Sequence, residues 1–287
     1  MEFWSENFEN LSSFNAWVAK NQDALAFRRS LEGRLEEELR STALREAIYY
    51  GFCIVCERHE HFAYDFRFSD GKMVNWRERL VCRGCGLSNR QRVVFGAARA
   101  WLNNPAMRIY LTEATSLLAN KMLAVDQTIT TSEFLAPSTA PGQINDDGIR
   151  CEDIRQLSFG DNAFDCVLCF DVLEHIFDFR SALKEIYRTL KDSGVAFISV
   201  PFSLYSQETL VRAIIDENGK INHLLEPEFH GDPIDPQQGI LCYFHFGWDF
   251  LDELRAAGFG EISLRLYWSS DFANIGNEQI LISAQKK

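Results

Sequence analysis

Two Cys-x-x-Cys pairs, Cys53-Ile-Val-Cys56 and Cys82-Arg-Gly-Cys85, stand in this chain with 25 residues between them. Each pair makes a tight knuckle that turns two sulfurs to one side. Two knuckles complete a tetrahedral four-sulfur shell, the closed geometry of structural zinc. Gly84 and Gly86 supply the backbone freedom that the second knuckle needs. His59 and His61 lie near the first knuckle, but four thiols already fill such a shell. A third pair, Cys166-Val-Leu-Cys169, lies inside an apolar strand, where residues three apart face opposite sides. It is expected to pack in a core, not to chelate.

Charge separates this segment from the rest. Of 287 residues, 29 are basic and 41 acidic, a net charge of −12. That balance argues against a nucleic-acid binder, whose field is basic. Residues 51–100 run the other way, with nine basic and five acidic side chains. Arg83, Arg90 and Arg92 are expected there on a solvated face or paired with the acidic second domain. No apolar run approaches the roughly 18 residues of a membrane span. The start, Met1-Glu2-Phe3-Trp4, has neither the basic nor the apolar part of a leader. The expected compartment for the eight cysteines is therefore a reducing cytoplasm.

Three segments follow from the pattern. Residues 1–50 read as helical, with Trp17, Leu25, Phe27, Leu31, Leu35 and Leu39 at helical intervals and Glu36, Glu37 and Glu38 on a solvated face. Residues 51–104 hold the four-Cys module, resembling a zinc ribbon, and a linking helix over 88–102 that Pro105 closes. Residues 105–287 alternate. Strands are predicted at 107–113, 129–133, 149–153, 164–170 and 195–200, and helices at 114–124, 179–190, 207–215 and 248–257. A loop over 218–239 is rich in His, Pro, Glu and Asp, and strands at 262–267 and 279–284 close the chain. Such alternation implies an α/β fold, a mostly parallel sheet with helices on both faces. The two closing strands suit an antiparallel edge.

The stretch Glu152-Asp153-Ile-Arg-Gln-Leu157-Ser158-Phe159, then Phe164-Asp165 and Asp171-Val-Leu-Glu174-His175, resembles the middle of class I S-adenosylmethionine-dependent methyltransferases of the type 11-like group. The continuation through Leu190, Gly194 and Pro201 matches that family's next helix, turn and fifth strand. The resemblance covers about residues 105–287 and is specific over 150–202. It implies a Rossmann-like sheet that binds S-adenosylmethionine beyond the carboxyl ends of its strands. Glu133 then stands where an acid accepts the ribose hydroxyls, and Asp153 where one accepts the adenine amine. Thr112, Glu113, Ser132, Ile154, Asp171 and Val172 are the implied neighbours. The family's Gly-x-Gly first turn is replaced by Thr112-Glu113-Ala114-Thr115-Ser116, which has no glycine. Thr112, Glu113 and Thr115 side chains are expected to replace the backbone contacts. Some bacterial relatives share a Thr-Glu first turn and a Ser-Glu second turn.

Three of the six histidines, His223, His230 and His245, fall within 23 residues among acids. Imidazole suits the base that deprotonates an oxygen or nitrogen acceptor before methyl transfer, and a nearby carboxylate orients it. His230 and His245 are the preferred bases for a small metabolite or sugar-like acceptor. Metal binding stays open in two places. One is the three histidines with Glu226 or Asp232. The other is Asp171, Glu174 and His175, since quinone O-methyltransferases carry Glu-x-x-Glu-His there. Two further readings also stay open: a non-catalytic interaction module containing zinc, and an RNA methyltransferase.

Overall fold

The computed structural model describes residues 6–41, 45–102, 104–135, 139–231, 234, 237–276 and 279–287. The chain forms two compact units. Of the described residues, one holds 6–8, 12–99 and 265–281, the other 9–11, 100–264 and 282–287. The helical segment and the four-Cys module thus share one unit, and a late stretch of chain joins them. Among the described residues no helix is long and apolar enough to cross a membrane.

In the first unit, helices Leu11–Lys20 and Gln22–Ser41 follow the predicted periodicity, and the second passes through Gly33 unbroken. The solvated face needs correcting at Glu36, which is buried. Its Oε1 accepts from Val74 N at 2.9 Å and Trp76 Nε1 at 3.1 Å. One turn earlier, Glu32 Oε1 accepts from Trp268 Nε1 at 2.9 Å and Gly276 N at 2.8 Å. Buried carboxylates persist where donors meet them. Residues 47–50 are not helical either. Ala47–Cys53 is a strand, as its Ile, Tyr and Phe content favours. It pairs antiparallel with Arg58–Tyr64, which pairs with Val81–Cys82.

The second unit is built on a sheet whose strands lie in the order Phe259–Leu266, Ile280–Lys286, Leu190–Ser199, Phe164–Phe170, Ile109–Leu111, Thr130–Thr131. The last four run parallel, and Ile280–Lys286 is antiparallel to Leu190–Ser199. Phe164–Phe170 is buried along nearly its whole length, as a central parallel strand must be. Cys166 and Cys169 lie fully buried in it, and burial pushes both thiols up. Helix Phe179–Thr189 turns its Ala182, Leu183 and Ile186 side inward and is capped by Asp178, whose side chain accepts from Ser181 N. Helix Asp249–Ala257 ends at Gly258 in the left-handed region, with φ 115.

Two predicted elements differ. The strand at 149–153 contracts to a single parallel bridge between Glu133 and Cys151. The helix at 207–215 is absent. Leu210–Val211 pairs with Phe244–His245, and Ala213–Ile215 pairs with Ile221–His223 inside the expected loop. Ladder hydrogen bonds and β-branched Val211, Ile214 and Ile215 outweigh a spacing that also suits a helix.

Candidate active site and metal centre

Chain order reverses at Ile109–Leu111, the next-to-last strand of the sheet. Ile109–Leu111 has Thr130–Thr131 on one side and Phe164–Phe170 on the other. Ligands of open α/β sheets bind beyond the carboxyl ends of the strands at such a switch point. Thr112, Ser132, Glu133 and Asp171 stand at those ends.

The turn without glycine is held by Glu133. Its Oε1 accepts from Ala114 N and Thr115 N, both at 2.9 Å, and from Thr115 Oγ1 at 2.8 Å. The amides of this turn therefore face the second strand end. All three hydrogen bonds go to Oε1, and Glu133 Oε2 takes none from the described residues. Ser116 caps helix Leu117–Val125 through Ala119 N at 2.9 Å. Ser132 is buried, with its Oγ 2.7 Å from the Tyr110 hydroxyl.

Asp153 sits in a loop fixed from two sides. Buried Glu152 accepts from Arg150 Nε at 2.7 Å, Ser158 Oγ at 2.6 Å and Ser158 N at 2.8 Å. Glu185 Oε2 accepts from Leu157 N at 2.8 Å, and Arg188 donates to Leu157 O and Phe159 O. Within that frame Arg155 takes both Asp153 oxygens, with Nη2 at 2.6 Å from Oδ2 and Nε at 3.0 Å from Oδ1. Arg155 holds the Asp153 carboxyl below the usual range, against the effect of burial. Any further donor to Asp153 would share it with Arg155 or displace that arginine. Ile154 is buried beside it.

The loop histidines separate. His223 is exposed on Ile221–His223, and Glu226 is exposed as well. Asp232 lies outside the described residues. His230 and His245 meet on Glu228, whose Oε1 accepts from the Nε2 of each at 3.0 Å. Arg212 Nη2 stands 3.2 Å from Glu228 Oε2. Burial raises the Glu228 carboxyl, but the two imidazole hydrogen bonds and the charges of His245 and Arg212 outweigh it and hold the group below its ordinary value. Both histidines thus donate from Nε2 and carry their lone pair on Nδ1. Sequence reasoning named Glu226 and Asp232 but missed Glu228. Its spacing was the available signal, since residues 228 and 230 share one face of an extended chain.

In the first unit Cys53, Cys56, Cys82 and Cys85 converge, with all four Sγ within 4.8 Å of one another. The contacts Cys53–Cys85 and Cys56–Cys82 are both 3.8 Å. A tetrahedron with Zn–S bonds of about 2.3 Å has an edge of about 3.8 Å. Cys56 N points to Cys53 Sγ at 3.5 Å. Burial and the neighbouring sulfurs push the Cys56 thiol up to about 12. A cation is what allows several thiolates in so small a volume. The residues after the second cysteine of each knuckle, Glu57 and Gly86, both take positive φ. A side chain at Gly84 would meet Glu60 Oε1 at 2.6 Å and Cys56 Sγ at 3.0 Å. His59 stacks on Tyr50, His61 meets the same ring edge-on, and neither joins the cluster. Of the arginines expected on a solvated face, Arg92 is fully buried, donates to Leu80 O and covers the Phe62 ring at 4.4 Å. Arg83 and Arg90 pair with Glu46 and Glu78.

Residues 110–198 match a family model described as a methyltransferase domain. By that match the stretch is similar to methyltransferase domains. Over 73 residues the chain is 40% identical to an uncharacterized protein of Methanocaldococcus jannaschii. That match covers 25% of this chain and spans only 30% of the relative. An S-adenosylmethionine-dependent methyltransferase of Mesorhizobium loti aligns with 67% of this chain and 98% of its own, at 17% identity and a TM-score of 0.41. The 1,6-didemethyltoxoflavin-N1-methyltransferase of Burkholderia thailandensis, solved with its substrate and S-adenosylhomocysteine, aligns with 69% of this chain and 78% of its own, at 18% identity and a TM-score of 0.39. Likeness of that degree carries no conclusion about the substrate of this methyltransferase domain.

Proposed function

We propose that the chain transfers a methyl group from S-adenosylmethionine to an oxygen or nitrogen of a small-molecule acceptor, with a histidine held by Glu228 as the base. The observation that carries this reading is the shared carboxylate: Glu228 Oε1 fixes His230 and His245 in one tautomer, 3.0 Å from each. The donor, when bound, supplies an electrophilic methyl on a sulfonium. The chain needs only to orient the acceptor and take its proton. Glu133 holds the first turn and offers Oε2 to the ribose. Asp153 addresses the adenine in competition with Arg155. His245, with its Nε2 held by Glu228, keeps Nδ1 as the lone-pair nitrogen that takes the proton. Arg212 keeps Glu228 ionised, so the carboxylate also stabilises an imidazolium once the proton has moved.

In this reading the four cysteines hold a structural zinc ion, and eight thiols free of disulfides suit a reducing cytoplasm. Radiolabelled methyl from S-adenosylmethionine, followed into the small-molecule fraction of an extract, tests the assignment. Glu228→Gln and His245→Ala are expected to lower turnover by about 10²–10⁴-fold, with donor affinity unchanged. Wild-type turnover in both variants would remove the base from the proposal. Label appearing only in protein or RNA would remove the small acceptor.

A further inference from the structure

A second convergence of Lewis bases lies beside the histidine pair. Glu174 and His175 end the short turn Leu173–His175 that follows strand Phe164–Phe170. His230 lies on Phe229–His230, paired with Ile240–Leu241. His175 Nδ1 lies 2.9 Å from Leu241 O. A carbonyl only accepts, so Nδ1 carries the proton and Nε2 carries a lone pair. That Nε2 is 3.7 Å from Glu174 Oε1. His230 donates from Nε2 to Glu228, so its Nδ1 carries a lone pair, 3.8 Å from the same Glu174 Oε1. The two rings stand perpendicular at 88°, with centroids 4.9 Å apart. Glu174 is fully buried.

We infer that Glu174, His175 and His230 form a site for a first-row transition-metal dication, distinct from the four-cysteine centre. All three ligating atoms lie within 4.8 Å of one another. Nitrogen and oxygen ligands about 2.1 Å from a tetrahedral ion stand about 3.4 Å apart, so small side-chain rotations close the shell. Each imidazole already has its far N–H bound, one to a carbonyl and one to a carboxylate, which is the outer arrangement that orients metal-binding histidines. Two imidazoles and a carboxylate select zinc, manganese or iron(II) over magnesium and calcium, which prefer all-oxygen shells. Three protein ligands leave a coordination position open. This extends the proposed function, because that position suits an acceptor oxygen.

Glu228, Cys242 and His245 also converge. There, however, the Cys242 thiol donates to Phe244 O at 3.3 Å, and burial with the nearby carboxylates pushes it up to about 12. The Nε2 of His245 is engaged by Glu228. The division of labour follows: His230 and His175 hold the metal, and His245 remains the base.

The test uses the full chain, stripped of metal and titrated with cobalt(II), without donor or acceptor. Wild type is expected to take up two equivalents, one with the intense thiolate charge-transfer band of a four-sulfur site and one with weak visible bands alone. His230→Ala and Glu174→Gln lose the second equivalent and keep the thiolate band. Cys56→Ser does the reverse, and His245→Ala keeps both. Because Glu174 is buried, circular dichroism accompanies each variant, and half-buried His230 carries the decision if Glu174→Gln does not fold. Uptake of one equivalent by folded wild type, or a second equivalent indifferent to His230→Ala, overturns the site. Donor binding is measured separately, so failure here is distinguishable from failure of the methyltransferase reading.

Discussion

Glu133 Oε1 accepts from both donors of Thr115, the amide at 2.9 Å and the hydroxyl at 2.8 Å, while also accepting from Ala114 N. A carboxylate at one strand end thus ties into place a turn that has no glycine. Hydrogen bonds to a charged group are worth about 1.5–3 kcal/mol each and do not add fully. Glu133→Ala is expected to lower stability by about 2–3 kcal/mol and to weaken donor binding. Glu133→Gln, which keeps one acceptor, should lose less of both. Urea denaturation and calorimetry on the two variants check this, and equal losses would contradict it.

Arg155 competes for Asp153. If Asp153 receives the adenine amine, Arg155→Ala frees it, and donor affinity should rise several-fold, toward the tenfold that about 1.4 kcal/mol represents. Asp153→Ala should weaken binding. An Arg155→Ala variant that binds more weakly than wild type would place the arginine itself against the cofactor.

The four-cysteine knuckle has no room at Gly84. Gly84→Ala forces Glu60 or the Cys56 sulfur aside, at a cost of about 1–3 kcal/mol typical of overpacking. Zinc retention under a competing chelator should fall in this variant and vanish in Cys56→Ser. Unchanged retention in Gly84→Ala would contradict the packing argument.

Glu185 gives a pH test. Hydrogen bonds from Arg188, against the effect of burial and aided by Leu157 N, hold its carboxyl below the ordinary value of a glutamate. A carboxyl lowered on folding adds stability above its unfolded pKa and loses it as pH falls through the folded one. The melting-temperature gap between wild type and Glu185→Gln should therefore be full at neutral pH and narrow only below that value. A gap that widens in acid would reverse the assignment.

Much of the fold was legible because burial leaves a simple record. Phe164–Phe170 is a continuous apolar run, helix Phe179–Thr189 has one apolar face, and Gly258 ends its helix as predicted. Residues 207–215 misled because Leu210, Val211, Ile214 and Ile215 suit helix and strand alike. The partners that decide, Phe244–His245 and Ile221–His223, come later in the chain. The site was half legible. The motif located Glu133 and Asp153, but not that Thr115 and Arg155 would engage them. The cysteines announced themselves by spacing. Glu174 and His230 lie 56 residues apart and meet only through the fold.

The most direct test is calorimetric titration of the folded, metal-replete chain with S-adenosylmethionine and S-adenosylhomocysteine. The account predicts micromolar binding of both, weakened in Glu133→Ala. No binding at millimolar ligand would contradict a working donor site.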